Sequence, residues 1–384
     1  VGSQIRVGCQ GPKTGHTCGV MTNLRSSLLL VLASISLVVH DVAAQSKAHP
    51  AQKVAEAYMR AIQTHEWAKA ADMVETKSLA NLKVFQKRYL MNAPTLPEEE
   101  ALLAILGLKR ISDIDALSPK EVYVRRGQAK TKQLKEPKKH IGEMKQSVVV
   151  KTLGTVSDGP NNVHTMIRKE FMAAERAFSE LAFVSLVKEG KSWKISLDAQ
   201  EPKMVPAANL APLPKVKTKP HGAHQVALNY QNAVSLHDWE SASLLVDTES
   251  LKSMKGFQKR YLRAAPGLAE EQQLLRLLGL TEISDLDDMT PRAIYISRGK
   301  ATTKRLMDPE KHIAELQRTL KIVCLGTATE GDDMVHAALR KQFSAQERGF
   351  SELLFVTLKK EGTVWKVSLD AQEPKVFAQK GKKK

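Results

Sequence analysis

Gly190-Lys191-Ser192-Trp193-Lys194-Ile195-Ser196-Leu197-Asp198-Ala199-Gln200-Glu201-Pro202-Lys203 recurs 172 residues later as Gly362-Thr363-Val364-Trp365-Lys366-Val367-Ser368-Leu369-Asp370-Ala371-Gln372-Glu373-Pro374-Lys375. Working back from this pair, residues 51–204 and 223–376 align at the same offset without a gap. Tyr58 falls on Tyr230, Trp67 on Trp239, and Phe85-Gln86-Lys87-Arg88-Tyr89-Leu90 on Phe257 to Leu262. About half of the aligned positions are identical. Solenoid repeats run ~20–50 residues, so this period describes a tandem duplication of one domain-sized unit. A unit of roughly 155 residues is long enough to bury about two thirds of its unfolded surface.

Within each unit the hydrophobic period changes once. Val54, Tyr58, Ala61 and Ile62, repeated as Val226, Tyr230, Ala233 and Val234, form one helical stripe. A break at Thr64-His65-Glu66 or Leu236-His237-Asp238 precedes a second short helix led by Trp67 or Trp239. A third helix carries Leu79, Leu82, Phe85 and Tyr89, with Leu251, Met254, Phe257 and Tyr261 opposite. Pro97 followed by acids starts a fourth, which Gly107 or Gly279 ends. Ser118-Pro119-Lys120-Glu121 fits a capping box; its counterpart keeps Thr290-Pro291 but has Ala293 for the glutamate. Residues 127–147 give no clean period and fit a strand followed by a short helix. From residue 148 the period is two, and Val148–Val156, Val163–Phe171, Leu181–Lys188 and Trp193–Ala199 read as an antiparallel meander. Val163, Thr165, Ile167 and Phe171 alternate with His164, Met166, Arg168 and Glu170, which predicts one buried and one polar face. The fold class is therefore α+β, as two tandem copies of a helices-then-curved-sheet domain. Their expected limits are 48–204 and 221–378, with a solvated Pro/Lys-rich linker at 205–220 and a basic tail at 379–384.

The amino-terminal stretch reads separately. Met21 to Ala44 has Arg25, an apolar core from Leu28 to Val39 and Val42-Ala43-Ala44 before the break, the pattern of a bacterial secretory signal. Its apolar run is shorter than the ~20 residues of a spanning helix. Residues 1–20 read as an over-extended start, Gln45 as the mature amino terminus, and the expected location as periplasmic or extracellular. Cys9 and Cys18 would leave with that segment, so Cys324 would stand alone as a small half-buried strand residue. The net charge is +17, and removing residues 1–44 leaves +15, which favours anionic partners such as an envelope polymer.

The helix-break-tryptophan pattern (His65-Glu66-Trp67, His237-Asp238-Trp239), together with a meander ending Gly-x-x-Trp-Lys-Ile/Val-Ser-Leu, resembles the nuclear-transport-factor-2-like superfamily, a cystatin-like α+β cone. That resemblance implies helices packed on a curved sheet around a cavity, and pairing of domains through the open sheet face. The two copies would then form an internal pseudo-dimer. It also implies candidate ligand-binding residues at Tyr58, Tyr230, Trp67 and Trp239, with His164 and His336 as pocket acid–base groups, set against ordinary roles as core anchors and interface histidines. An isomerase of this superfamily works with paired acids in an apolar pocket. That pattern is missing: Leu244 stands opposite Asp72, and Asp198 and Asp370 lie in a polar stretch.

No phosphate loop, nucleophile elbow or zinc-protease motif occurs, no cofactor is indicated, and His221 and His224 lack the further ligands of a metal set. Lys83, Lys87 and Arg88, with Lys255, Lys259 and Arg260, offer a polyanion site on the third helix. Aromatics at core-like positions leave no stacking platform beside them, which argues against nucleic acid. The reading with most support is an exported, non-catalytic binding or interaction module of the cell envelope. A cavity enzyme of the cyclase or isomerase type with a small hydrophobic ligand is the alternative, and a polyanion binder the third.

Overall fold

Side-chain acceptors placed just before a proline start several of the helices in this chain. The computed structural model describes residues 49–92, 106–174, 176–199, 202–214, 221–263, 278–345, 347–371 and 375–377, with residues 100, 103, 104, 216, 272, 275 and 276 between them. The segment 21–44, Pro97-Glu98-Glu99, the linker lysines 215, 217 and 219 and the basic tail lie outside the described residues.

In α1 (Pro50–Gln63) the His49 ring accepts from the Ala51 amide at 3.2 Å, so an imidazole serves as the cap. The chain leaves α1 through His65 at φ +58°, a left-handed residue that turns it into α2 (Trp67–Asp72). There follow α3 (Thr76–Met91), α4 (Asp113–Ala116), α5 (Pro119–Lys132) and α6 (Pro137–Ser147). Ser118 and Glu121 form the capping box of α5 in both directions. Residues 127–147 are thus helical apart from the turn joining α5 to α6. Only Gly127, Ala129 and Met144 of them are buried in these helices, too thin a stripe for the period to show.

Four strands then follow in antiparallel order: β1 (Val149–Ser157), β2 (Asn162–Ala173), β3 (Arg176–Glu189) and β4 (Ser192–Ile195). The fifth, β5 (Lys203–Pro206), leads into a 3-10 turn at Ala207–Asn209. The second copy repeats the series as α7 (Gly222–Ser235), α8 (Trp239–Leu245), α9 (Thr248–Arg263), α10 (Asp285–Asp288), α11 (Pro291–Lys304) and α12 (Pro309–Thr319). Its strands are β6 (Lys321–Glu330), β7 (Met334–Ala345), β8 (Arg348–Glu361), β9 (Val364–Val367) and β10 (Lys375–Phe377).

The last strand of each copy completes the sheet of the other. β4 covers only one end of the β3 edge, from Leu186 to Glu189. The opposite end pairs with β10, Ala177 opposite Phe377 and Ser179 opposite Lys375. Reciprocally, β5 pairs with β8, Lys203 opposite Ser351 and Pro206 opposite Arg348. An open sheet edge is a row of unpaired amides and carbonyls, and here each is shortened from both ends within the chain. The stretch expected to be a solvated linker from residue 205 therefore begins as an edge strand. Pro206 is tolerated as its last residue because an edge position asks for no inward amide.

One sheet face takes the helices. Ala51, Ala55 and Met59 of α1 pack on Val163, Ile167, Val184 and Leu186, so this space is filled by side chains rather than left as a cavity. The opposite face, expected to be polar, is buried as well: Val163 to Lys169 are all buried. The second sheet covers it. Val156, Met166, Leu325, Ala328, Ala338 and Leu353 form a shared apolar layer, in which Phe183 stacks on Phe355 with ring centres 3.8 Å apart. β1 and β6 approach so closely that a Cβ on Gly154 would lie 2.6 Å from the Ala328 Cβ. Register shifts at Thr152/Gly154 and Cys324/Gly326 mark β-bulges at this crossing.

Polar groups in the layer are paired across it. Arg168 reaches Glu330 through Nε at 2.7 Å and Nη2 at 2.5 Å, a fork-to-carboxylate contact. Arg340 reaches Asp158 in the reverse sense. His164 (1% exposed) contacts Asp158 at 3.2 Å and Ser185 at 2.8 Å; His336 (0%) contacts Glu330 at 2.9 Å and Thr357 at 3.0 Å. Burial lowers the His164 pKa and outweighs the pull of Asp158. Burial works against the Glu330 carboxylate too, yet His336 and Arg168 hold it down to about 2.

These shifts fix a pH dependence. A histidine kept neutral and a carboxylate kept ionised both contribute stability that is present at higher pH and lost on acidification. The free energy of unfolding should be level near pH 8, fall as pH drops through 6.5 and fall again from 4.5 towards 2, as followed by urea denaturation. Arg340→Met should cost about 3 kcal/mol, because it leaves the Asp158 carboxylate buried without its cation.

Candidate functional site

The helical side of the first copy holds a pocket of about 700 Å³. It is bounded by α1, α2, α3, α5 and the segment after β4, and no strand residue lines it. It is thus distinct from the helix-on-sheet cavity that the resemblance implied.

Its frame begins with the left-handed His65. That turn sets Trp67 against Gly127 of α5, where an added Cβ would lie 2.2 Å from the indole. The indole Nε1–H donates to Thr131 Oγ1 at 2.9 Å, and the His65 Nδ1 lies 2.8 Å from the same hydroxyl. Glycine in a helix interior costs ~1 kcal/mol against alanine, and here the missing side chain makes room for a tryptophan. The second copy repeats the set with His237, Trp239, Gly299 and Thr303. Trp67 and Trp239 therefore anchor two helices, and Trp67 in addition presents a face to the pocket.

Tyr58 and Tyr123 form the inner wall, their hydroxyls 3.1 Å apart. Burial, then the neighbouring Tyr123, raises the Tyr58 pKa far above the usual range, so this phenol stays neutral. Burial likewise raises Tyr123, against the opposing effects of Tyr58 and Arg126. Tyr230 and Tyr295 make the same pair at 3.2 Å in the second copy.

At another part of the lining lies Asp198. Burial would raise its pKa, but hydrogen bonds from Ser78 (2.6 Å), Asn81 (2.7 Å), its own amide and Ser196 (3.2 Å) hold it lower. It is an ionised, saturated carboxylate that ties α3 to the strand end. Its counterpart Asp370 receives Ser250 and Ser368 at 3.0 Å each.

The third helix is turned differently from its sequence reading. Leu79 is buried, but Phe85 (56% exposed) and Tyr89 (53%) stack on one another at the surface, as do Phe257 (51%) and Tyr261 (52%). The inward row runs instead through Ser78, Gln86 and Leu90, the i, i+4 line that α5 covers. The supposed polyanion lysines are engaged inside the chain. Lys83 donates to the carbonyls of Asp115 and Leu117 at the end of α4, and Lys87 to the Asp115 carboxylate at 2.8 Å. Lys255 and Lys259 do the same around Asp287 and Met289. Both pairs cap a helix C-terminus, where cations offset the dipole. Of the six cations, Arg88 alone lines the pocket; Arg260 holds the matching position in α9. His164 and His336 lie in the layer between the sheets, away from this lining. Arg126 and Lys130 line it too, residues that the spacing of charges did not single out.

No protein-family model matches the sequence, and no curated protein matches it significantly. Among solved structures it is similar to a cystatin-like protein from Ruminococcus gnavus ATCC 29149, at 14% identity over 91% of this chain and 95% of that chain, TM-score 0.18. A second is an NTF2-like protein involved in plasmid conjugation, at 9% identity over 63% of this chain and 84% of that chain, TM-score 0.16. Scores this low carry no weight for function, which rests on the geometry above.

Gly127→Ala measures the frame directly. Helix propensity alone would stabilise the variant by ~1 kcal/mol. Overpacking against Trp67 should reverse the sign, giving a net loss of about 1–2 kcal/mol in urea denaturation together with a shift of tryptophan emission.

Proposed function

We propose that this protein is a non-catalytic binding module of the cell envelope, in which the first copy takes up a small, partly apolar ligand. The observation that carries the reading is the chemistry of the pocket wall. A volume near 700 Å³ suits a small molecule. Yet its phenols are held neutral, its one carboxylate is ionised and saturated, and no histidine lines it. General acid–base catalysis asks for a group poised near the working pH. Aromatic walls with fixed hydrogen-bonding groups favour retention instead of proton transfer.

The two copies act in this reading as an internal pseudo-dimer, the product of a tandem duplication within the nuclear-transport-factor-2-like superfamily. Support comes from the repeated element order, the exchanged strands β5 and β10 and the reciprocal arginine–carboxylate pairs. Export follows from the signal-like residues 21–44.

Native mass spectrometry of the full chain purified from its source tests the binding reading. The expected spectrum is a monomer carrying an adduct of a few hundred daltons that is absent from Leu82→Trp, a substitution that fills the pocket. Bare masses for both proteins, with melting temperatures unmoved by a panel of aryl carboxylates, amides and alcohols, would overturn it.

A further inference from the structure

Three cations line the pocket with no anionic partner among the described residues. Arg88 of α3 and Arg126 and Lys130 of α5 all line it, and among the described residues no carboxylate pairs with any of them. This is not the general state of the neighbourhood. On the same two helices Lys83 and Lys87 are held by α4, Lys120 by Asp72, and Arg125 by the carbonyls of Leu106 and Gly107. Arg126 is half-buried beside the Tyr123 hydroxyl, whose pKa it pulls down against burial. The one opposing charge in the lining, Asp198, is already filled by Ser78, Asn81 and Ser196. Tyr58, Trp67, Phe85 and Tyr123 supply the aromatic part of the same lining.

We infer that the pocket of the first copy selects a flat apolar molecule bearing one anionic group, the class of aryl carboxylates and sulfonates, with Arg88, Arg126 and Lys130 receiving the anion. This rests on the binding reading above and narrows it. A guanidinium beside an aromatic wall receives a planar carboxylate in two parallel hydrogen bonds while the ring system lies on the aromatic faces. The second copy keeps Arg260 and Arg298 but has Thr302 in place of Lys130 and Gly256 in place of Val84. It lacks one cation and one apolar wall residue, so one copy binds the anion strongly.

Isothermal calorimetry on the full chain with 2-naphthoate and its neutral isostere 2-naphthamide tests this. The expected result is one strong naphthoate site per chain, at least tenfold tighter than the amide and weakened by added salt. Lys130→Thr, which installs the second copy's residue at an exposed position, should cut naphthoate affinity several-fold and leave the amide unchanged. Arg126→Gln should do the same more strongly. Equal binding of both probes, unmoved by either substitution, would overturn the anion preference while leaving the pocket as a binding site. Binding of neither probe would overturn the pocket reading itself. Two equal naphthoate sites would overturn the distinction between the copies.

Discussion

The layer between the two sheets is the constraint on which the rest of the structure depends. Arg168 and Arg340 lie there largely out of water, and each can be ionised at tolerable cost only because the other copy supplies its carboxylate. Neither acid could serve its own copy's arginine in the same way, since Glu330 and Asp158 sit at the far ends of the strands that cross. Each acid also holds a buried histidine, so one carboxylate satisfies two donors. Apolar contacts such as the Phe183–Phe355 stack supply the larger part of the attraction, being dry and non-directional. The charged pairs add register. A slip of either sheet by one residue would strand a buried guanidinium.

That registry makes the strand exchange possible. β4 is only four residues long and leaves most of the 14-residue β3 edge open. With the sheets fixed against each other, the segment after each copy's Asp-Ala-Gln-Glu-Pro stretch reaches the partner edge instead of its own. Closing that edge from the other copy couples the ends of the chain to its middle, and the pairing of Ala177–Ser179 with Lys375–Phe377 does this without any disulfide. Cys324, buried in β6 with its thiol directed at the Gly326 carbonyl and its pKa raised by burial, plays a packing role only.

Much of this was legible in the sequence and some was not, for reasons that can be named. The repeated helices-then-sheet order followed from the 172-residue offset, and the α1 stripe, the α5 cap and the meander followed from spacing, because each of these three is a local property. The polar alternation of His164, Met166 and Arg168 was legible as a pattern, but not which residues would satisfy that face. Polar residues can be buried if a partner 162 or more residues away satisfies them, and local periodicity contains no information on that. Phe85 and Tyr89 failed for the opposite reason: aromatic residues at helical spacing imply a core, yet here they are exposed beside a basic pocket rim. Arg126 and Lys130 sit in a stretch whose buried stripe is too thin to fix a helix, so their alignment with Arg88 could not be seen. Residues 21–44, and the start of the fourth helix, fall outside the described residues.

The two faces of each copy differ in what a substitution there would disturb. In the sheet layer several differences between the copies keep the chemistry, Asp158 for Glu330 and Ser185 for Thr357, or exchange volume across the dry contact, Met166 for Ala338, while Val323 of that layer has Lys151 as its counterpart. A change in sign or a lost donor there would leave a buried group unsatisfied in the opposite copy as well as its own. On the helical side nothing enforces such agreement. Tyr58, Trp67 and Gly127 recur because they hold the helices, while Val84 and Lys130 have become Gly256 and Thr302. Under the proposed reading two copies in one chain divide the work: both build the interface, and the binding pocket is assigned to the first.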